Sequence, residues 1–354
     1  MHEEFIGTMP VQEKHRFDVE RLAQFMQSHV EGFVAPLEVE QFKGGQSNPT
    51  FLLQSANHRY VLRRKPPGKL LPSAHAVDRE YRVISALHRA GIPVARTWAL
   101  CEDVDVIGTA FYIMDYVEGR VLWDQALPGI AKDERTAIYA ELNRVIAALH
   151  QIDYAAIGLA DYGKPGNYLE RQISRWIKQY RASQTERIEA MDRLIEWLPQ
   201  HIPPQEETSI VHGDYRLDNV IFHASEPRIL AVLDWELSTL GHPLADFSYH
   251  CMYWRLSPDL FRGLGGLDLG ALGIPTEEEY VAQYCRRTGR ERIENWDYYA
   301  AYNMFRLGAI CQGIMGRVVD GTAVSQQAID SGKRARPLAE AGWRQVEKIL
   351  SGKA

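Results

Sequence analysis

No uninterrupted apolar run in the chain approaches the roughly 20 residues that a membrane-spanning helix needs, so no membrane partner is expected. Cysteine is scarce: Cys101, Cys251, Cys285 and Cys311 lie far apart with no C-x-x-C pair. That argues against a disulfide framework or a cysteine zinc site and suits reduced, buried thiols. Positive charge is in deficit. With 40 Lys and Arg against 46 Asp and Glu the formal net charge is −6, so no global field attracts nucleic acid or anionic lipid and any basic site must be local. The first residues lack the basic-then-apolar pattern of a secretory signal, and the expected location is cytoplasmic. Internal repeats, low-complexity tracts and heptad arrays are also missing.

The 354 residues have the hydrophobic (45%) and charged (24%) fractions of an ordinary globular protein, with length for two or three domains at about 150 residues each. Residues 18–30 show helical spacing behind Asp18, a plausible N-cap. LEVEQFK (37–43), TFLLQS (50–55) and RYVLRRK (59–65) read as strands of an antiparallel meander. A helix over 74–90 ends at Gly91 and Pro93, and strands follow at 95–101 and 109–116. The first 116 residues therefore form an α+β domain. From 117 to 354 the chain is mainly helical: 132–152, 168–183, 187–199, 277–288, 295–318 and 336–350 read as helices, with strands only around 209–234. A hinge at about 114–119 joins the two parts, and 321–335 reads as a mobile loop.

The most informative stretch is SIVHGDYRLDNVIF (209–222), followed by ILAVLDWE (229–236). His212, Asp214 and Asn219 occupy a polar loop between apolar strands, and Asp234 ends the next strand. Phosphoryl transfer needs this kit: one carboxylate to orient a hydroxyl and take its proton, and a carboxylate with an amide oxygen to hold Mg²⁺ on the phosphates. Asp214 is read as the base, with His212 grouped beside it, and Asn219 and Asp234 as the metal ligands. The bland alternative is an Asp/Asn-rich turn.

His212-Gly213-Asp214, with Asn219, Asp234 and Gly241-His242-Pro243-Leu244-Ala245-Asp246, resembles the aminoglycoside phosphotransferase and choline kinase-like family, relatives of the protein kinases. The resemblance covers residues 37 to 318. It implies a bilobal protein-kinase-like fold: a small N-terminal lobe with an antiparallel sheet (1–116) and a larger, mainly helical C-terminal lobe (117–354), with ATP and Mg²⁺ as cofactors. In RYVLRRK the two-residue period places Val61 and Arg63 on one face, and the resemblance puts Arg63 where a kinase strand carries lysine. This is a departure, because a guanidinium is planar and bidentate; Arg64 and Lys65 are the alternatives. On the 74–90 helix Glu80 interrupts an apolar stripe of Val77, Ile84 and Leu87. Burying it alone is costly, so pairing with Arg63 is expected, as in the kinase strand–helix ion pair.

Lys43-Gly44-Gly45-Gln46-Ser47-Asn48 stands where a kinase has its glycine-rich loop, which would set Gly44, Gly45, Ser47 and Asn48 near phosphates; a Gly-Gly hairpin is the commoner meaning. FYIMDYVEG (111–119) becomes the hinge, with Met114 guarding the pocket and the backbones of Asp115 and Val117 meeting adenine. Asp246 becomes an internal brace for the catalytic loop. It lies twelve residues beyond Asp234, too close for an activation segment, so a small-molecule substrate is expected rather than a folded protein.

On the substrate side, residues 163–181 carry Lys164, Arg171, Arg175, Lys178 and Arg181 against Glu170 alone, and Arg171, Arg175 and Lys178 share a helical face. Arg306 and Arg317 share a face of the 295–318 helix. Such cations suit phosphate or carboxylate recognition, although a solvated surface is the usual meaning of a charge run. The pattern Gly-x-Pro-Gly-x-Tyr-x-x-Arg-Gln, which includes Tyr168, resembles phosphotransferase-like domains fused to acyl-CoA dehydrogenases and implies a hydroxyacyl-CoA substrate. Two readings compete: an aminoglycoside or amino-alcohol kinase, and an inactive module that holds nucleotide or acyl-CoA. A serine hydrolase is remote, because no G-x-S-x-G elbow exists.

Overall fold

The computed structural model describes residues 7–43, 48–66, 75–204 and 207–352. The chain forms two compact units. The first holds the described residues of Met1–Trp123 together with Ala155–Ala160 and Asp218–Ser238; the second holds Asp124–Tyr154, Asp161–Leu217 and the described residues from Thr239 onwards.

In the first unit the elements are β1 (Thr8–Met9), α1 (Val19–His29), β2 (Glu38–Phe42), β3 (Thr50–Gln54), β4 (Arg59–Arg64), α2 (Val77–Arg89), β5 (Thr97–Cys101), α3 (Val104–Ile107) and β6 (Phe111–Asp115). They build an antiparallel six-stranded sheet in the order β1-β2-β3-β4-β6-β5, in which Val61 pairs with Met114 and Arg63 with Tyr112. Asp18 caps α1 by accepting the Arg21 N–H at 3.0 Å. That helix lays Leu22 and Met26 on Phe51, Leu53, Leu62, Phe111 and Ile113, all buried. The pleat decides the rest: Leu62 points into this core while Val61 and Arg63 point away from it. Arg64 turns to the α1 side, where its guanidinium lies 5.2 Å from the Phe17 and Phe51 rings and donates to the His15 carbonyl. A hairpin of β8 (Val220–Phe222) and β9 (Ile229–Val232) belongs to the same unit.

The second unit contains α4 (Lys132–His150), α5 (Tyr168–Ala182), α6 (Glu189–Trp197), β7 (Ser209–Val211), β10 (Thr239–Gly241), α7 (Pro243–Cys251), α8 (Leu269–Leu272), α9 (Glu277–Thr288), α10 (Trp296–Val319), α11 (Gln326–Gly332) and α12 (Ala335–Leu350). α10 is buried along most of its length and packs against α5, α7, α11 and α12. Two differences from the sequence reading stand out. The expected loop over 321–335 contains α11, capped by Ser325 accepting from Ala328 N–H. α7 was not anticipated, because each of its residues is buried and it shows no polar face for periodicity to reveal.

The two α7 histidines are structural. His242 accepts from the Leu244 N–H and stacks on Tyr299, and His250 meets the Tyr280 hydroxyl at 2.8 Å. Burial pulls the pKa of each down to about 4. Both are neutral in the fold above that value, whereas an unfolded histidine takes a proton near pH 6.5. The contribution of each is complete above about pH 6.5 and is lost as the pH falls towards 4, where the unfolded chain binds the extra protons. The expected outcome for His250→Gln is a shallower slope of unfolding free energy against pH between about 6.5 and 4, smaller by up to one proton. Denaturant titrations across that range measure it.

Candidate active site

In the second unit β7 runs into His212-Gly213-Asp214, and β10 pairs with β7 along Val211–Thr239 and Ser209–Gly241. Gly213 takes φ +84°, a left-handed turn that glycine adopts without penalty. Asp246, on the first turn of α7, accepts the N–H groups of His212 (2.7 Å) and Gly213 (2.8 Å). His150 of α4 meets the same carboxylate at 3.2 Å, with its other ring nitrogen 2.8 Å from the Tyr284 hydroxyl. Burial opposes ionisation of Asp246, but the hydrogen bonds of His150 and the His212 amide hold its pKa below the usual value. His212 is fully buried, and its Nδ1 accepts the Asp214 N–H at 3.1 Å. It shapes the loop on which Asp214 stands. Asp214 itself accepts from the Tyr249 hydroxyl at 2.6 Å through Oδ1 and meets Arg216 Nε at 3.3 Å through Oδ2.

The first unit holds a cavity of about 580 Å³. Val61, Ile84, Ala95, Met114, Ile221, Val232 and Leu233 give it apolar walls, and Arg63, Glu80, Asn219 and Asp234 give it polar ones; Asp115 and Val117 line it as well. Arg63 Nε lies 2.8 Å from Glu80 Oε2, the expected strand–helix ion pair, with side-chain exposures of 12% and 3%. Glu80 also accepts from Asn48 Nδ2 (2.9 Å) and from the Tyr112 hydroxyl (3.1 Å). Burial pushes Glu80 up to about 7 in spite of Arg63. The Arg63 guanidinium reaches further, to Asp234 Oδ1 at 3.0 Å and Glu236 Oε2 at 3.3 Å. Burial works against its charge, but the surrounding carboxylates outweigh it and raise its pKa.

Asn219 and Asp234 arrive together because β8 and β9 pair: Val220 faces Val232, and Leu233 N–H donates to the Asn219 carbonyl at 2.8 Å. Asp234 has φ +63° and ψ 66°, a left-handed conformation that aspartate tolerates better than most residues. Its carboxylate keeps 36% exposure. At the end of β6 the Asp115 N–H is committed to the Arg96 carbonyl at 2.8 Å. The Asp115 side chain accepts from Trp98 Nε1 (2.6 Å) and His58 Nε2 (3.0 Å), and Arg59 pairs with Glu118 at 2.6 Å.

Other expectations fare differently. Gly44, Gly45 and Ser47 lie outside the described residues. Asn48 is fully buried, donates to Glu80 at 2.9 Å and meets His75 Nδ1 at 2.8 Å. Arg64 faces the core and Lys65 pairs with Asp78 at 3.6 Å, which leaves Arg63 as the β4 cation that lines the cavity, with Arg120 also on its wall. In the second unit a cavity of about 880 Å³ is lined by Lys164, Arg171, Arg175 and Lys178, with Glu170 beside them. Arg171 also donates to the carbonyls of Lys164 and Gly166, so it holds the loop as well as facing the cavity. Tyr168, Arg306 and Arg317 do not line it. Arg306 is buried and donates to the Gly213 carbonyl at 2.6 Å, and Arg317 is exposed in the last turn of α10. Tyr168 packs against the catalytic strands: a Cβ at Gly241 would come within 2.7 Å of its ring.

The sequence reading did not single out Trp123, which lines the first unit's cavity, or Phe42 and Tyr116, which stack at 6.5 Å on its wall. It also missed Arg216 and Tyr249 beside Asp214. Tyr249 left a signal, since it stands three residues after Asp246 and so on the same helix face.

Residues 38–302 match the phosphotransferase enzyme family. Mouse acyl-CoA dehydrogenase family member 10 is 49% identical over 87% of the chain, and human acyl-CoA dehydrogenase family member 11 is 40% identical over 96%. The chain spans only 29% and 44% of the lengths of those relatives. A solved structure from Ralstonia eutropha is 62% identical with TM-score 0.88, covering 94% of this chain and 99% of that one. Choline kinase from Cryptosporidium parvum, at 14% identity, TM-score 0.63 and coverage of 95% and 97%, shares the fold. So does aminoglycoside phosphotransferase APH(4)-Ia in its complex with ADP and hygromycin B, at 17% identity, TM-score 0.59 and coverage of 91% and 97%. The match runs from the first long strand of the sheet through the His212–Asn219 loop and into α10, and the chain belongs to the phosphotransferase enzyme family, with a protein-kinase-like fold.

Proposed function

We propose that the chain transfers the γ-phosphoryl group of ATP, with Mg²⁺, to a hydroxyl of an anionic small molecule, and that this molecule is a hydroxyacyl-CoA. The observation that carries the reaction type is the convergence of Asn219, Asp234 and the Arg63–Glu80 pair on one apolar-walled cavity. The fold neighbour APH(4)-Ia, solved with ADP, supports the nucleotide. In this reading Val61 and Met114 enclose the adenine, whose edge meets the Asp115 carbonyl and the Val117 N–H, and Arg63 is the cation for the phosphates.

The donor set fits Mg²⁺. A carboxylate and an amide give it hard oxygens, and among the described residues no third acidic, histidine or cysteine side chain completes a cluster, which suits an ion that keeps several waters. Held there, Mg²⁺ would neutralise charge on the phosphate oxygens. Asp214 orients the acceptor hydroxyl and takes its proton as the new phosphorus–oxygen bond forms.

The acceptor is read from the second unit. Four cations around one cavity repel a polyamine and attract an anion, which favours a phosphate-bearing acceptor over an aminoglycoside, and the relatives named for acyl-CoA chemistry point to a coenzyme A thioester. Retention of the Arg63–Glu80 pair favours an enzyme over an inactive module.

The base is tested first. Asp214→Asn is expected to lower turnover roughly 10²–10⁴-fold while Mg-ATP affinity stays near wild type; wild-type turnover removes Asp214 from that role. Calorimetry with Mg-ATP separates the metal ligands. Asp234→Ala should abolish Mg²⁺-dependent nucleotide binding and Asn219→Ala should weaken it less, because only the carboxylate neutralises charge; equal affinity of Asp234→Ala and wild type refutes the site. For the acceptor, the KM for a hydroxyacyl-CoA should rise with ionic strength, since the Debye length shortens to about 8 Å at 0.15 M, and rise again in Arg175→Ala with ATP affinity unchanged. Arg175 is the better probe than Arg171, which also holds the loop. Efficient phosphorylation of a polyamine, or a KM indifferent to salt and to Arg175, ends the anionic reading.

A further inference from the structure

The helix that braces the catalytic loop also reaches the base itself. On α7, Asp246 holds the amides of His212 and Gly213, and one turn later Tyr249 donates its hydroxyl to Asp214 Oδ1 at 2.6 Å. Residues i and i+3 share a helix face, so a single rigid element fixes the loop's backbone and its terminal carboxylate together. Tyr249 is only 4% exposed. Burial, reinforced by the Asp214 carboxylate, keeps its phenol protonated far above neutral pH, so it is a donor. Arg306 secures it from the other side. The guanidinium lies 4.9 Å over the Tyr249 ring and donates to the Gly213 carbonyl at 2.6 Å, which ties the ring to the same loop.

The two oxygens of Asp214 are consequently not equivalent. Oδ1 is engaged by a buried donor whose ring cannot move, whereas Oδ2 meets Arg216 Nε at 3.3 Å, on a side chain that keeps 25% exposure. An aspartate carboxylate rotates about a broad, two-fold torsion. A fixed donor on one oxygen removes that freedom.

We propose that Tyr249 is a positioning residue, which locks the Asp214 carboxylate so that Oδ2 receives the proton of the acceptor hydroxyl. The inference rests on Asp214 being the base. In the step it serves, the acceptor O–H bond breaks and its proton passes to Oδ2, the acceptor oxygen bonds to the γ-phosphorus, and the bond from that phosphorus to the β,γ-bridging oxygen breaks to release ADP. The proton on Asp214 then passes to solvent.

The test measures ADP release from Mg-ATP with water and with a hydroxyacyl-CoA as acceptors. Tyr249→Phe keeps the ring beneath Arg306 and removes the hydroxyl. ADP release should fall roughly ten- to a hundredfold, as for loss of orientation in a general base, with Mg-ATP affinity by calorimetry unchanged. The acid limb of its pH profile should move to higher pH, because a carboxylate that loses a hydrogen-bond donor holds its proton more tightly. In an Asp214→Asn background Tyr249→Phe should cost nothing further, as groups acting as a unit are not additive. A 3-fluorotyrosine at position 249 preserves the packing and donates more strongly, so its acid limb should move to lower pH; this variant carries the test if the phenylalanine variant does not fold. Should Asp214→Asn be inactive while Tyr249→Phe retains full turnover and an unmoved acid limb, Tyr249 only packs and the inference is overturned. Full activity of Asp214→Asn overturns the reading of the base, and this inference with it.

Discussion

One buried carboxylate holds the loop of His212, Gly213 and Asp214 in place. Asp246 sits in the second unit among apolar residues, where an ionised group is tolerated only if its lone pairs are matched by donors. It has them: two backbone N–H groups from His212 and Gly213, and His150 from α4. The cost of burying this charge is what makes the arrangement specific. Removing the brace strands two amides of a loop whose left-handed glycine has no helix or sheet to hold it. The histidine on that loop then has a secondary task, since its Nδ1 accepts the Asp214 N–H and sets the direction in which the next side chain leaves the backbone.

The first unit solves a different electrostatic problem. Arg63 is nearly buried and has carboxylates of Glu80, Asp234 and Glu236 within 3.3 Å. One cation among three anions leaves an excess of negative charge; the pKa of Glu80 is raised chiefly by its burial, with Asp234 and Glu236 adding to the rise. The excess favours binding of a further cation at Asp234, the role that a divalent ion fills in the proposed reaction. Arginine suits this place better than lysine would, because its planar fork engages several carboxylates at once and keeps its charge when buried.

How much of this was legible in the sequence depended on the kind of signal. Strands and amphipathic helices with one wet face showed their period, and α1, α2 and β2 to β6 fell close to the expected spans. Glu80 was legible because a carboxylate inside an apolar stripe demands a partner, and Arg63 was the cation on the right face of a nearby strand. α7 was hidden: a helix buried on all sides has no alternation to read, and with it went Tyr249. The substrate arginines were misread for a related reason. Helical spacing places Arg306 and Arg317 on one face, but it does not say that the turn at Arg306 is enclosed by Tyr249 and Trp176 while the turn at Arg317 is in solvent. Asn48 was expected at the phosphates from its place beside two glycines, whereas its amide was needed by Glu80.

The surroundings of Asp214 bear on what sort of base this fold offers. The Tyr249 hydroxyl on Oδ1 and the Arg216 guanidinium beside Oδ2 hold the carboxylate from two sides. Phosphoryl transfer passes through a loose transition state with little bond formation to the attacking oxygen, so the hydroxyl need not be deprotonated early, and catalysis comes chiefly from positioning and charge stabilisation. A firmly aimed carboxylate gains orientation under those terms. In the proposed reaction the same logic accounts for the buried polar groups gathered on one loop, from His150 through Asp246 to Tyr249 and Arg306: they fix where a single oxygen stands.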